Sequence, residues 1–572
     1  MGRENSGFKP EWLEQAQPPK SYRSIFKWGD PQQYKHPNAR LYQLMKQTFN
    51  MSDDDFRVPE NLGLEEVSFE QPTNLQPDQI EALVKIVGPS NARLDDYSRL
   101  EVAYGKTMLD LMRLRQGIVE NIPDLVLYPR DKEDIAAIVR YCHEERIPVY
   151  IYGGGSSVTR GVECVQGGVS LDMRVHMNKV LEFNEINQTI TVEPGMYGPQ
   201  LENKLTNAQE LFGAKKAYTC GHFPQSFEYS TVGGWVVTRG AGQNSTYYGK
   251  IEDLVVCQEY VTPVGTILTK AYPAAAIGPS IDEIMLGSEG AYGVLVAVTL
   301  KIFRYLPQNQ QKFGYIFKNW SDALAATREI MQAQFGYPSV FRLSDPEETD
   351  IALKLYGVEG TIIDKVITLR GYKPNERCLL IGLADGEAGF AKLVAKKIQK
   401  ICQRQGAMST TGYVTKEWEK GRFKDPYLRD DLQDYGIMTD TLECAVAWDK
   451  LEQVHEGVRK FCKSRPDTIC MTHISHFYPQ GANLYFIFIA KINEIPDYLE
   501  YQRGILDSIQ QHGASMSHHH GIGKMTAPWL EKQLGKNELE VYRAIKRHFD
   551  PHNIMNPGGT LALDLPDEQR RG

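Results

Sequence analysis

The clearest periodicity begins at Asp131, where Ile135, Ile138, Val139 and Cys142 fall at i, i+3, i+4 and i+7, one face of a helix. Asp131 can cap that helix, and Asp134 adds negative charge to its first turn. Pro148 then leads into the short apolar run 149–152, a predicted strand, closed by Gly153-Gly154-Gly155-Ser156-Ser157. Further strand-like runs follow at 169–172, 180–183, 189–192, 254–262 and 294–302, punctuated by glycine and proline. Beyond about 306 the pattern changes to amphipathic helices over 322–334 and 391–405, alternating with apolar strands over 378–383 and 484–490. Strand alternation along the last of these places Tyr485 and Ile487 on one face and Phe486 and Phe488 on the other. The first 85 residues or so are polar, with short helical pieces such as 39–49. The expected fold class is α+β in two lobes with helical ends: an arm over 1–95, one domain over 96–305, a second over 306–510 and a C-terminal segment over 511–572.

A chain of 572 residues is too long for one ordinary hydrophobic core, which agrees with that division. Hydrophobic residues at 42% and charged ones at 24% are ordinary for a globular protein and exclude a fibrous or disordered one. The net charge of −8, with no long block of one sign, argues against a nucleic-acid partner. No apolar run approaches the ~20 residues a membrane helix needs. The nine cysteines are scattered with no C-x-x-C pair, neither a disulfide framework nor a thiolate metal site, so a reducing compartment is expected. The start MGRENSGFKPEW has no apolar stretch, so no secretory leader is read there, although Met1-Gly2 with Ser6 matches a loose myristoylation pattern. The expected location is the cytoplasm or the periphery of a membrane.

Three glycine loops carry the first chemistry. Gly153, Gly154 and Gly155 with Ser156 and Ser157 would let backbone approach an anion such as a pyrophosphate. Ser230-Thr231-Val232-Gly233-Gly234-Trp235 and Gly287-Ser288-Glu289-Gly290-Ala291-Tyr292-Gly293 repeat the theme downstream. Tight turns without a ligand would look the same one at a time. Neither G-x-G-x-x-G opening a long helix nor G-x-x-x-x-G-K-[ST] is present, so the nicotinamide and ATP signatures are missing.

With Pro123–Pro129 and Ile251–Val255, these loops in this order resemble the FAD-binding domain of the vanillyl-alcohol-oxidase/p-cresol-methylhydroxylase superfamily, over about 123–305. The resemblance implies FAD in the loops and a substrate cap over the flavin, but no particular reaction. A narrower set resembles the alkyldihydroxyacetonephosphate synthases: Gly221-His222-x-Pro224, Phe341-Arg342-Leu343, Tyr427-Leu428-Arg429-Asp430, Gly481–Phe486 and Ser517-His518-His519-His520-Gly521-Ile522-Gly523-Lys524. That resemblance implies an FAD-dependent transferase exchanging the acyl group of acyl-dihydroxyacetone phosphate for a fatty alcohol, with no net redox change. It also implies a lipid-like substrate, peripheral membrane contact and a homodimer. The cofactor-binding set would be Gly153, Gly154, Gly155, Ser156, Ser157, His222, Pro224, Ser230, Thr231, Gly233, Gly234, Glu289 and Gly290.

For catalysis the resemblance singles out Tyr485, His518, His519, His520, Arg342 and Arg429, with His519 as base. Each has a plainer reading. Three histidines in a row can be a solvated loop, and no loop points all three one way. An aromatic in LYFIFIA is core by default, a lone arginine usually ends in a surface ion pair, and His222 can be structural. Histidine titrates near neutrality, which suits a base, and a guanidinium fork suits a phosphate. The sequence departs from the family in Phe223 and Gln225, where two carboxylates are usual, and in Ala291-Tyr292, where Thr-Leu is usual. The rival reading is an FAD-dependent 2-hydroxy-acid dehydrogenase or oxidase. The metal-dependent members of that group carry a histidine where this chain has Tyr485 and a glutamate where it has His519, so no metal is expected, although His473, His476 and His519 could gather around one.

Overall fold

The computed structural model describes residue 10, residue 12 and residues 16–571, so the N-terminal Gly2 lies outside the described residues. The Asp131 expectation holds in detail. Asp131 caps the helix Lys132–Glu145 by accepting from the Asp134 N–H, and Ile135, Ile138, Val139 and Cys142 are buried. That helix leads into a small sheet ordered Ala92–Arg93, Leu125–Leu127, Val169–Asp172, Val149–Tyr152, in which the last three strands run parallel. The strand Val149–Tyr152 therefore ends on the glycine loop, where a parallel sheet places its ligands.

A second, antiparallel sheet runs in the order Val180–Asn184, Thr189–Val192, Val294–Lys301, Val255–Thr262, Gly265–Leu268. The cap is built on a seven-stranded antiparallel sheet ordered Met408–Ser409, Gln311–Phe317, Cys378–Ala384, Val340–Ser344, Ile469–Ile474, Gly481–Ala490, Met438–Ala447. One face of it is covered by the helices Trp320–Gln332, Ala388–Arg404, Leu451–Cys462 and Ile495–Gln511. Their packing follows from the alternation: Phe486 and Phe488 are buried in the core, while Tyr485 and Ile487 line a cavity on the opposite face.

Two features were not expected from the sequence. The C-terminal segment joins the small sheet, where Met555 bridges the edge strand at Val149, with Val149 donating to the Ile554 carbonyl and Asn556 donating to that of Val149. Part of the polar arm is enclosed, with Arg23 and Lys27 fully buried against the helix Asp425–Gln433 and the residue after it, while 52–55 and 57–61 stay exposed. All nine cysteines are free and buried.

Candidate functional site

A cavity of about 370 Å³ lies between the glycine loops and the open face of the cap sheet. Its loop side is made by Gly153 to Ser157, Pro224, Ser230, Thr231, Gly233, Gly234, Glu289 and Gly290. Its sheet side is made by Arg342, His473, Tyr485 and Thr441, and it is completed by Arg429, His476, His519 and His520.

The glycines have different reasons to be glycine. A Cβ on Gly154 would lie 2.2 Å from the Tyr229 carbonyl oxygen, so backbone packing requires glycine there. A Cβ on Gly234 would meet only Thr231 Oγ1 at 3.6 Å, so that position opens into the cavity. Bare backbone beside open space, with the Ser230 and Thr231 hydroxyls at the start of a short helix, fits the phosphate-bearing part of FAD.

The cap side is organised by a cross-strand row. Tyr485 is paired with Glu443 on one neighbouring strand and His473 on the other. His473 stacks on Tyr485 at 4.8 Å, and its Nδ1 lies 3.1 Å from both Glu348 Oε1 and Arg342 Nη2. The Arg342 Nη2 also donates to Glu348 at 2.7 Å, leaving the rest of the fork toward the cavity. Burial raises the Tyr485 hydroxyl to about 12, with its 3.1 Å hydrogen bond to Thr441 opposing, so it is a protonated donor near neutrality. Arg429 is held by donating to the Lys106 carbonyl at 2.7 Å and to Asp430 at 2.9 Å.

The triple histidine is fixed by a residue that sequence reasoning missed. The buried Glu443 carboxylate accepts the backbone N–H groups of His518, His519 and His520 at 2.8–3.1 Å and the Ser517 hydroxyl at 3.0 Å. Successive N–H groups wrapped around one anion form a nest, here closed on the protein's own carboxylate. Glu443 also lies 3.4 Å from His519 Nδ1. Burial works against its charge, but His519 beside it, with His520 and His518, outweighs burial and holds it well below the ordinary range. His520 is lowered to about 4, chiefly by burial and against the pull of Glu443, so near neutrality it is an uncharged acceptor.

Three of the expected site residues are placed differently from the rest. His518 does not line the cavity: its ring turns to the Tyr478 hydroxyl at 2.6 Å and to His519 Nδ1 at 3.0 Å. His222 does not line it either, lying 4.8 Å from Trp235 with burial lowering it to about 3. Glu289 lines the cavity, but its two oxygens accept the Ile522 and Gly523 N–H groups at 2.6 and 2.7 Å, so it anchors the loop after the histidines. The suggested gathering of His473 around a metal is replaced by His476, His518 and His519, whose ring nitrogens come within 4.8 Å of one another. In that group His476 Nδ1 bonds to Ser245 at 2.6 Å, and both nitrogens of His518 are in hydrogen bonds.

Comparison with known proteins follows this geometry. Residues 123–270 match the family described as "FAD binding domain", and 306–560 the one described as "FAD linked oxidases, C-terminal domain". FAD is therefore the cofactor of this chain. The alkyldihydroxyacetonephosphate synthase of Dictyostelium discoideum is 31% identical over 85% of this chain and 81% of its own. An Escherichia coli protein described as an uncharacterized FAD-linked oxidoreductase is 31% identical over 77% of this chain and 90% of its own. A solved alkyldihydroxyacetonephosphate synthase superposes with a TM-score of 0.79 at 28% identity, covering 94% of this chain and 99% of that one. By fold, by its paired FAD-linked domains and by this likeness over most of its length, the chain belongs to the alkyldihydroxyacetonephosphate synthase family.

Proposed function

We propose that this enzyme exchanges the acyl group of an acyl-dihydroxyacetone phosphate for a long-chain alcohol, forming an ether bond. The observation that carries the reading is the meeting, in one cavity, of the glycine loops, Arg342, Arg429, Tyr485 and four histidines, His519 and His520 among them. When bound in the loops, FAD supplies the reactive ring system on which such an exchange proceeds without net oxidation. Arg342 and Arg429 offer guanidinium forks for the substrate phosphate and the departing carboxylate. His519, held by its backbone and ring on Glu443, takes the substrate proton. The Tyr485 hydroxyl, which donates to Thr441 in this structure, turns to donate to oxygen as the acid leaves. Phe341, Ile487, Trp418 and Val340 provide apolar wall for the chains.

Membrane contact is proposed at the helix Ile362–Leu369, where Ile362, Ile363, Val366 and Leu369 are all exposed. Four such residues on two turns form an apolar face, with Lys365, Arg370 and Lys373 beside it to meet anionic headgroups. Among the described residues no helix is long and apolar enough to cross a membrane. A homodimer, implied by the family, belongs to the same proposal, and sedimentation of the purified enzyme tests it. The competing 2-hydroxy-acid oxidation is tested by anaerobic mixing with D-lactate or glycolate. The flavin absorbance should persist, and bleaching on the time scale of turnover would overturn the synthase reading.

A further inference from the structure

The arm that the sequence left without chemistry reaches the cavity. Trp28, only 5% exposed, lines it together with Asp425, Pro426 and Arg429. Trp28 and Arg429 are held by the same carboxylate: Asp430 accepts the Trp28 backbone N–H on one oxygen and the Arg429 Nε–H, at 2.9 Å, on the other. Around this link the arm is clasped by buried charges. Arg23 donates to both oxygens of Asp434 at 2.8 Å, and Arg115 reaches the same carboxylate at 2.8 Å. Lys27 lies 2.8 Å from Asp431. Lys106 ties the group to the cofactor loop: its backbone N–H donates to Ser157 at 2.6 Å, its carbonyl accepts from Arg429, and its ammonium bonds the Ile25 carbonyl.

Buried ion pairs are a poor way to gain stability, since apolar residues of similar size usually do as well. What they provide is direction, because each pair fixes where the arm sits relative to the helix Asp425–Gln433. The clasp therefore brings Trp28 and Arg429, tied to one carboxylate, to the lining of the same cavity. An indole and a guanidinium lining one cavity are suited to a small phosphorylated head, the ring meeting its carbon atoms while the fork takes its oxygens.

We propose that Trp28 is a specificity-determining residue that flanks the phosphate-bearing head of the substrate next to Arg429, and that Arg23 and Lys27 are positioning residues for this pair. The proposal rests on the synthase reading for its substrate and has a readout apart from synthesis. Dihydroxyacetone phosphate itself is the probe, its binding to the FAD-loaded enzyme followed by calorimetry. Trp28→Ala should weaken binding at least tenfold at unchanged flavin content, and Trp28→Phe should restore it to within about threefold of the parent. Lys27→Met should weaken it as well while leaving flavin bound. In turnover, Trp28→Ala should raise KM for the phosphate substrate and leave KM for the alcohol within about twofold. Binding by Trp28→Ala within twofold of the parent, or no binding by the parent, would overturn the proposal. Failure of the synthase reading shows separately, as absence of ether product from a parent enzyme that binds the probe.

Discussion

Replacing Glu443 isolates the part of the site that depends most on one side chain. In Glu443→Ala, three backbone N–H groups and the Ser517 hydroxyl lose their acceptor together. A buried donor left without a partner costs about 1–3 kcal/mol, so a loop that stayed in place would cost about 3–9 kcal/mol for the three N–H groups. The loop would relieve part of that by moving to water, and the movement would carry His519 and His520 out of the cavity. Glu443→Gln keeps the shape and one acceptor oxygen but turns an NH₂ toward the donors and removes the charge beside His519. It should cost about 1–3 kcal/mol and still lower turnover about 10²-fold. The pH dependence has a definite sign. The carboxylate is held below its unfolded value, so its stabilisation is full above that value and fades as pH falls through the folded one. The parent should therefore lose melting temperature below about pH 4, and Glu443→Gln should show a flatter acid limb. Thermal melts with flavin fluorescence, beside steady-state rates, test this. Parent-like melting and turnover in both variants would refute the account of the histidine loop.

Gly234→Leu should fold and lose FAD, because its side chain enters the cavity, whereas Gly154→Leu should lose both fold and FAD through its clash with Tyr229; flavin absorbance per protein distinguishes them. Tyr485→Phe and His519→Ala should keep flavin and lose about 10²–10⁴-fold in rate, and parent-like rates in both would show that the proton roles lie elsewhere. Elemental analysis of enzyme purified without chelator should find no stoichiometric zinc or manganese, since the ring nitrogens of His518 bond to Tyr478 and His519; stoichiometric metal lost together with activity would revive the dehydrogenase reading. Ile362→Asp with Leu369→Asp should abolish flotation with phosphatidylserine vesicles while sparing turnover of detergent-dispersed substrate, and unchanged flotation would remove that helix as the contact.

What was readable in the sequence was local. The Asp131 cap, the glycine loop at a strand end and the alternation that turns Tyr485 toward the cavity each follow from neighbours in the chain. Glu443 was not readable, because it meets the histidine loop only through the fold, about 75 residues away. Trp28 was hidden for the same reason: the segment around it reads only as polar until Arg23 and Lys27 find carboxylates some 400 residues on. His222 stands apart, its motif resembling a flavin contact while the ring packs 4.8 Å from Trp235 and outside the cavity lining. The apolar face of Ile362–Leu369 went unread in the sequence, because its exposure depends on what the fold leaves uncovered.

The central claim is an exchange of acyl for alkyl at one cavity holding FAD, arginines, Tyr485 and the histidine loop. Its most direct test is incubation of the flavin-loaded enzyme with palmitoyl-dihydroxyacetone phosphate and labelled hexadecanol, with lipid extraction and mass analysis. The account predicts labelled hexadecyl-dihydroxyacetone phosphate and free palmitate in equal amounts, with no net flavin reduction. Release of palmitate without label in the ether product, or no reaction by enzyme with full flavin occupancy, would contradict it.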